Sequence, residues 1–142
     1  FPTALRVITP HPGEAARMLY TSIDAVQADR VAALRKLSVR YGNCLVVLKG
    51  HQTLVGRSHG EIFINSTGNP FLAQGGSGDV LAGYISGLLA QPALQSDPLK
   101  TIRYAVWQHG DAADRLSATK SNWTVDDLLQ TLGGTFSTAN PH

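Results

Sequence analysis

The chain has 142 residues and a mass of 15.2 kDa, a length typical of one compact domain over residues 1–142. Hydrophobic residues make up 43% of the sequence and charged residues 15%, a balance that excludes an intrinsically disordered chain. The formal net charge is +2 without a Lys/Arg cluster, which argues against binding to nucleic acid or to an anionic membrane. The single cysteine, Cys44, excludes an internal disulfide, and no apolar run is long enough to span a bilayer.

The first part of the chain predicts short strands alternating with helices. A β-prone run at residues 5–8 ends at two closely spaced prolines, and a short helix over 14–19 follows. Apolar residues at spacings of three to five predict one longer helix over 24–41, ended by a Gly-Asn pair that tolerates the left-handed conformation. Residues 44–48 are apolar throughout, which predicts a strand buried on both faces.

The middle of the chain predicts a hairpin followed by a glycine-rich loop. Residues 52–55 and 61–65 have the composition of two strands, and the segment between them has hairpin length. The glycine-rich loop covers 66–78, and helical spacing resumes over 79–90 and again after Asp97.

The end of the chain predicts one more helix and a tail. Thr124 and Asp127 have the spacing of a capping box, which predicts that a helix begins there. The polar residues 135–142 predict a flexible tail. Taken in order, these elements predict an α/β fold in which helices flank a mostly parallel sheet.

The glycine-rich stretch at 75–83 carries the clearest chemical signal. Three glycines around Ser77 let the backbone approach a ligand, and their amides share the positive end of the following helix dipole. Phosphate is the commonest anion bound by such a site, although the stretch is neither a Walker loop nor the dinucleotide fingerprint. Asp79 is therefore either an ordinary first-turn acid or a general base beside a phosphoryl group.

This stretch resembles the anion-hole and catalytic-aspartate motif of ribokinase-like proteins. Together with Thr-Pro-His-Pro-Gly-Glu at 9–14 and Val-Leu-Lys-Gly at 47–50, it is similar to the ADP- or ATP-dependent NAD(P)H-hydrate dehydratase family. Residues 107–114 resemble a further family segment. Because the family domain is about twice this length, the resemblance implies the carboxy-terminal half of a layered ribokinase-like α/β domain.

The resemblance implies a lyase of metabolite repair, in which a nucleotide phosphorylates the ring hydroxyl of hydrated NADH or NADPH (NADHX or NADPHX) and phosphate then leaves. It implies that Asp79 is the catalytic base and contacts the substrate, and that His11 also contacts the hydrate. The implied anion hole consists of Gly76, Ser77 and Gly78. The implied nucleotide-binding residues are Lys49, Gly50, His51, Gln52, Thr53 and Gly78. The implied cofactors are ADP or ATP with Mg²⁺, without a dedicated metal site on the protein.

The same residues also have ordinary structural explanations. Lys49 ends a buried strand, where its ammonium could simply extend into solvent. A loop histidine such as His11 is more often solvated than functional, and Thr53 is an ordinary strand residue. We favour packing or helix-capping roles for His109 and Asp114.

Two further functions stay open at this stage. A ribokinase-like kinase of a vitamin-precursor alcohol would use the same anion hole, and a non-catalytic nucleotide-binding fragment would bind without turnover. Phe71 stands where the family has a glycine, which predicts a restricted backbone or a narrower pocket. A first strand with an uncovered edge predicts either a fragment of the longer domain or a short variant that closes its sheet as a homo-oligomer. We expect the protein in the cytoplasm, with no membrane or nucleic-acid partner.

Overall fold

The computed structural model describes residues 4–133, and the predicted tail at 135–142 lies outside them. The strands are β1 (Val7–Ile8), β2 (Leu45–Leu48), β3 (Leu54–Gly56) and β4 (Phe63–Ile64). The helices are α1 (Pro12–Leu19), α2 (Ile23–Ala28), α3 (Arg30–Arg40), α4 (Ser77–Leu89), α5 (Pro92–Gln95), α6 (Pro98–Thr119) and α7 (Val125–Gly133). A 3₁₀ turn at Pro70–Ala73 lies in the glycine-rich loop. None of the helices in the described part of the chain is long and apolar enough to cross a membrane.

The four strands form one mixed sheet in the order β1-β2-β3-β4. β1 runs parallel to β2, with Val7 opposite Leu45, and the other two pairs are antiparallel, with Val47 opposite Val55 in the first of them. The prediction of a mostly parallel sheet is therefore wrong. The connections from β2 to β3 and from β3 to β4 are too short for a crossover, so only β1 and β2, which have three helices between them, run parallel.

Helices cover both faces of the sheet, as the α/β prediction requires. On one face, Val46 and Leu48 of β2 pack with residues of α1, α2 and α3. On the other face, Leu45 and Val47 pack with residues of α4 and α6. All four residues of β2 are buried, which confirms the predicted strand with two buried faces. The ends of β2 therefore lie between both helical layers.

The predicted single helix over 24–41 is wrong, because the chain breaks at Asp29 between α2 and α3. Asp29 has φ −146° and ψ 83°, and its side chain accepts a hydrogen bond from the Ala32 amide at 2.8 Å. This cap starts a new helix, so Arg30 becomes its first residue. The predicted left-handed stop is confirmed, with φ of 76° at Gly42 and 57° at Asn43.

The two predicted starts of the last long helices are also confirmed. Asp97 accepts a hydrogen bond from the Lys100 amide at 3.0 Å and begins α6. Thr124 donates its amide to the Asp127 carboxylate at 2.9 Å, and the Asp127 amide donates to the Thr124 hydroxyl at 3.4 Å. α6 has 22 residues, which lets one helix pack on the sheet and also reach the glycine-rich loop.

Candidate active site

Two of the motifs meet where β2 ends and α4 begins. Lys49 follows β2, and a Cβ placed on Gly78 would lie 2.7 Å from the Lys49 ammonium nitrogen. The same nitrogen lies 4.0 Å from a carboxylate oxygen of Glu14 in α1. The structure thus brings together Lys49 and Gly78, which are 29 positions apart in the predicted nucleotide-binding set. Glu14, the last residue of the motif at 9–14, was not predicted as a site residue and joins them.

The Lys49 ammonium lies in an electrostatically unusual place. The start of a helix carries partial positive charge, so a second positive charge beside it is unfavourable unless an anion lies between them. The Lys49 side chain is only 23% exposed, so water does not screen it fully. This placement argues against the simple explanation of a lysine extended into solvent, and it favours an anion site.

The start of α4 has no side-chain cap, and of its first amides that of Ser77 makes one long hydrogen bond, 3.4 Å, to the Gln74 carbonyl. Gly76 precedes the helix at φ 91°, a left-handed conformation that favours glycine, and no side chain caps the helix there. The first-turn N–H groups of a helix have no partner within the helix. The predicted anion hole at Gly76, Ser77 and Gly78 is therefore the uncapped start of α4.

His109 of α6 contacts this helix start from the protein interior. Its side chain is buried, with Nε2 3.1 Å from the Ser77 carbonyl oxygen and 3.5 Å from the Ser77 hydroxyl. Burial lowers the pKa of His109 to about 4, the nearby Lys49 acts in the same direction, and the hydrogen bond to Ser77 opposes them. The neutral imidazole donates its Nε2 proton to the carbonyl, since a carbonyl only accepts. The predicted packing role of His109 is confirmed, and the contact with the anion hole is new.

Asp114, one turn further along α6, holds the glycine-rich loop. Its carboxylate accepts hydrogen bonds from the Gly68 amide at 2.8 Å and from the Asn69 side-chain amide at 2.9 Å. A Cβ on Gly110 would lie 2.7 Å from the Thr67 carbonyl carbon and 2.8 Å from the Gly68 nitrogen, so the loop lies directly on the helix. Asp114 therefore anchors this loop instead of capping a helix.

The loop over 49–53 is held by Arg30, which the sequence did not reveal as a site residue. Its guanidinium donates to carbonyl oxygens at the end of β2 and in the loop, at distances between 2.5 and 3.3 Å: Leu48, Lys49, His51 and Gln52. Thr53 closes the loop by donating its hydroxyl to the Gly50 carbonyl at 3.1 Å. The sequence prediction placed Arg30 inside one helix over 24–41, so its position at a helix start became visible only in the structure.

His11 caps α1. Its Nδ1 accepts hydrogen bonds from the amides of Gly13 at 3.0 Å and Glu14 at 3.2 Å, and its own amide donates to the Glu14 carboxylate at 2.7 Å. The ring is exposed at the surface, so it is accessible to a ligand. The structure gives His11 this capping role, and its contact with substrate stays a prediction.

Asp79 is the third residue of α4 and is exposed. It lies at a groove between α4 and α7 that is also lined by Gly83, Gly87 and Leu129. The carboxylate is thus accessible to a bound molecule, and Asp79 belongs to the same first helical turn as Ser77 and Gly78. Its predicted role as a base stays a prediction.

Comparison with known proteins places this geometry in a family. The model of the NAD(P)H-hydrate dehydratase family matches residues 2–133. The chain belongs to the NAD(P)H-hydrate dehydratase family. It is 50% identical over 108 residues to the ADP-dependent (S)-NAD(P)H-hydrate dehydratase of Neisseria meningitidis, which covers 76% of this chain and 35% of that protein. It is also 50% identical over 111 residues to the bifunctional NAD(P)H-hydrate repair enzyme Nnr of Vibrio cholerae, which covers 78% of this chain and 22% of that protein.

Solved structures show the same relationship. The ADP/ATP-dependent NAD(P)H-hydrate dehydratase of Bacillus subtilis, co-crystallized with ATP/Mg²⁺, superimposes with a TM-score of 0.80 at 32% identity, over 90% of this chain and 46% of that one. A ribokinase-like superfamily protein from Enterococcus faecalis gives a TM-score of 0.73 at 33% identity, over 90% and 42%. These likenesses confirm the predicted ribokinase-like fold. The chain spans about half the length of these solved structures and about a third or less of the two relatives.

One departure from the family pattern has a simple structural outcome. Phe71, predicted to restrict a left-handed backbone position, is not among the residues with positive φ and lies in the 3₁₀ turn. Its ring packs beside Trp123, with 5.9 Å between the ring centroids. The predicted restriction of a left-handed backbone position is therefore wrong, because the loop folds as a turn that accommodates a side chain, and the narrower pocket stays a prediction.

The donor set of the site suits magnesium that arrives with a nucleotide. Among residues 4–133, no three His, Cys, Asp or Glu side chains cluster as metal ligands. Mg²⁺ is usually held by one or two carboxylates together with substrate phosphates and waters. Such an ion would take its ligands chiefly from the phosphates and from water, so Asp79 keeps a free carboxylate.

Proposed function

We propose that this chain forms the nucleotide-binding and catalytic part of an ADP- or ATP-dependent dehydratase that repairs hydrated NADH and NADPH. The observation that carries the proposal is the Lys49 ammonium lying beside the uncapped start of α4. A phosphate group bound between them would interact favourably with the Lys49 ammonium and with the positive end of the α4 dipole. The names of the Neisseria meningitidis and Bacillus subtilis relatives support the nucleotide and the hydrate as ligands.

In this proposal the residues divide between nucleotide and hydrate. Lys49 and the amides of Gly76, Ser77 and Gly78 hold the negative charge that spreads over the transferring phosphoryl group, with the Ser77 amide exchanging its long bond to the Gln74 carbonyl for the phosphoryl oxygen. The loop formed by Gly50, His51, Gln52 and Thr53 contacts the rest of the nucleotide. His11 contacts the hydrate, for which its exposed ring is available.

Asp79 acts as the general base. Its carboxylate takes the proton from the ring hydroxyl of the hydrate while the oxygen attacks the terminal phosphorus and the bond to the leaving phosphate of the nucleotide breaks. The bond between the ring carbon and the phosphate oxygen then breaks, and the neighbouring ring carbon loses a proton to water, so that inorganic phosphate leaves and the double bond of the dihydronicotinamide ring is restored. Mg²⁺, when bound with the nucleotide, would neutralise phosphate charge. A cytoplasmic location and a homo-oligomeric state stay predictions.

The test compares two aspartates that occupy first turns of helices. We expect Asp79→Asn to lower the rate of nucleotide-dependent hydrate repair by about 10²- to 10⁴-fold, the range for loss of a general base, with nucleotide affinity retained. Asp126→Asn is the matched control, because Asp126 is an exposed first-turn acid of α7 and should leave the rate unchanged. The assay follows release of inorganic phosphate and of NADH by the 142-residue chain.

Three results would contradict the proposal in different ways. An unchanged rate in Asp79→Asn removes the aspartate from catalysis. A phosphorylated organic product in place of inorganic phosphate would identify a small-molecule kinase. Stabilisation by nucleotide without any turnover would identify a non-catalytic nucleotide-binding module.

A further inference from the structure

Arg30 makes an unusual set of contacts for a residue on a different helical layer from the glycine-rich loop. Its NH2 group donates to the carbonyls of Leu48 at 3.2 Å and Lys49 at 3.3 Å, and its NH1 group donates to those of His51 and Gln52. One side chain therefore fixes the peptide groups that follow β2. Arginine suits this task because its planar guanidinium presents several donors in a fixed geometry.

The direction of these contacts determines the direction of the neighbouring amides. All peptide bonds in the described part of the chain are trans, and a trans peptide carries its N–H opposite its C=O. With the carbonyls of Lys49, His51 and Gln52 turned towards Arg30, the N–H groups of the next residues point away from it. Those N–H groups belong to Gly50, Gln52 and Thr53.

The backbone conformation of the loop over 49–53 allows these N–H groups to point away from Arg30. Gln52 has φ 55° and Gly50 has φ 132°, so the chain reverses direction within a few residues. A Cβ on Gly50 would lie 3.3 Å from the Arg30 NH2 nitrogen, which shows how closely the guanidinium lies beneath the loop. Successive amides that point to one side of a tight turn form a concave donor surface for negatively polarised ligand atoms.

The position of Arg30 is energetically unfavourable in two respects that do not apply to an ordinary surface arginine. It occupies the first position of α3, where the helix dipole disfavours a cation, and its Nε is buried without a hydrogen-bond partner among the residues described. The Asp29 cap begins α3 at that position. The carbonyl contacts compensate for these costs, and they exist only if the loop keeps this one conformation.

We propose that Arg30 is a positioning residue that preorganises the loop over 49–53, turning the amides of Gly50, Gln52 and Thr53 towards the nucleotide. The inference rests on the proposed function, because it assigns the loop's ligand as ADP or ATP. Arg30 itself touches no ligand. It acts by holding four carbonyls on the side of the loop away from the ligand.

The chain offers a matched control in Arg35, which lies on the same helix. Arg35 donates to the carbonyls of Arg57 and Gly60, each at 2.8 Å, and so holds the loop between β3 and β4 in the same manner. That loop contains no predicted site residue. Arg30→Lys and Arg35→Lys both keep the charge and remove the fork of donors, so the loop that each one releases is the main difference between them.

The experiment measures ADP and ATP affinity by calorimetry and amide hydrogen exchange without nucleotide, on both variants and the unsubstituted chain. We expect Arg30→Lys to weaken nucleotide affinity by about tenfold or more, because a disordered loop must be ordered on binding. Exchange of the Gly50 and Gln52 amides should become faster in the same variant. Arg35→Lys should change affinity by less than about twofold, in the range of an ordinary surface substitution.

Each other outcome overturns the inference in a recognisable way. Equal loss of affinity in both variants means that general destabilisation is responsible. Faster exchange without weaker binding means that the loop amides do not face the nucleotide. If Arg30→Lys does not fold, Arg30→Gln is measured instead, with Arg35→Gln as its control. An unsubstituted chain that binds neither nucleotide contradicts the proposed function itself, and with it the ligand assigned here.

Discussion

The loop over 49–53 and the glycine-rich loop over 66–78 meet at Lys49 and Gly78, and they are held by opposite charges. The first is held by the Arg30 cation, which binds carbonyls. The second is held by the Asp114 carboxylate, which binds the Gly68 amide. A cation hydrogen-bonds to carbonyl oxygens, so the N–H groups of the loop can still donate to a ligand. A carboxylate accepts hydrogen bonds from N–H groups, so those N–H groups can no longer donate to a ligand.

The difference shows how each loop can still offer donors to an anion. In the first loop the donors would be its own amides. In the second loop the bound amide at Gly68 lies well before the uncapped amides at the start of α4, so anchoring and ligand binding use different parts of the segment. His109 binds a carbonyl at that helix start, so this contact occupies no amide there.

The largest expected effect comes from separating the glycine-rich loop from α6. Gly110→Ala would place a methyl group 2.7 Å from a backbone carbon and 2.8 Å from a backbone nitrogen, neither of which can move alone. We expect the free energy of unfolding to fall by about 3 kcal/mol or more, measured by denaturant unfolding. Gly87→Ala in α4, where a Cβ meets nothing within 4 Å, is the control and should raise stability by up to about 1 kcal/mol. Equal effects of the two substitutions would contradict the close approach.

The next largest expected effect is a pH dependence of the free energy of unfolding that originates at His109. Its pKa is about 4 in the folded protein and near 6.5 when unfolded, so between these values the unfolded state binds more protons. Stability therefore falls as the pH drops through this window, by roughly 3 kcal/mol in all from this residue. His109→Gln keeps a donor for the Ser77 carbonyl and should have a flatter stability profile from pH 7 to 4. Parallel profiles of the two proteins would show that the imidazole is not held neutral.

The smallest effect tests the Asp114 anchor. Asp114→Asn leaves one oxygen for two donors, so we expect a loss of about 1–2 kcal/mol in the free energy of unfolding. Asp111→Asn is the control on the same helix, since Asp111 forms a partly exposed pair with Arg115 at 2.7 Å, worth less than about 1 kcal/mol. If the control costs as much as Asp114→Asn, the loop anchor is no stronger than a surface ion pair. The exchange rate of the Gly50 amide should be unchanged in both variants, because a different residue holds that loop.

Local sequence signals determined much of the fold. The caps at Asp97 and Thr124, the left-handed stop at Gly42 and Asn43 and the buried strand β2 all depend on residues within a few positions of each other. The resemblance of three motifs to a known family implied the ribokinase-like fold, and the glycines before a helical segment predicted the helix start at residues 76–78. These features form through hydrogen bonds and burial patterns that a short segment specifies by itself.

Only the tertiary structure decided how the site is assembled. The break at Asp29 is invisible to apolar spacing, and it is what places Arg30 where four carbonyls converge. His109 meets Ser77 across 32 positions of sequence, and Asp114 meets Gly68 across 46. Such contacts depend on where helices pack on the sheet, so the sequence by itself determined the helix start and its glycines, while packing decided which charges hold them.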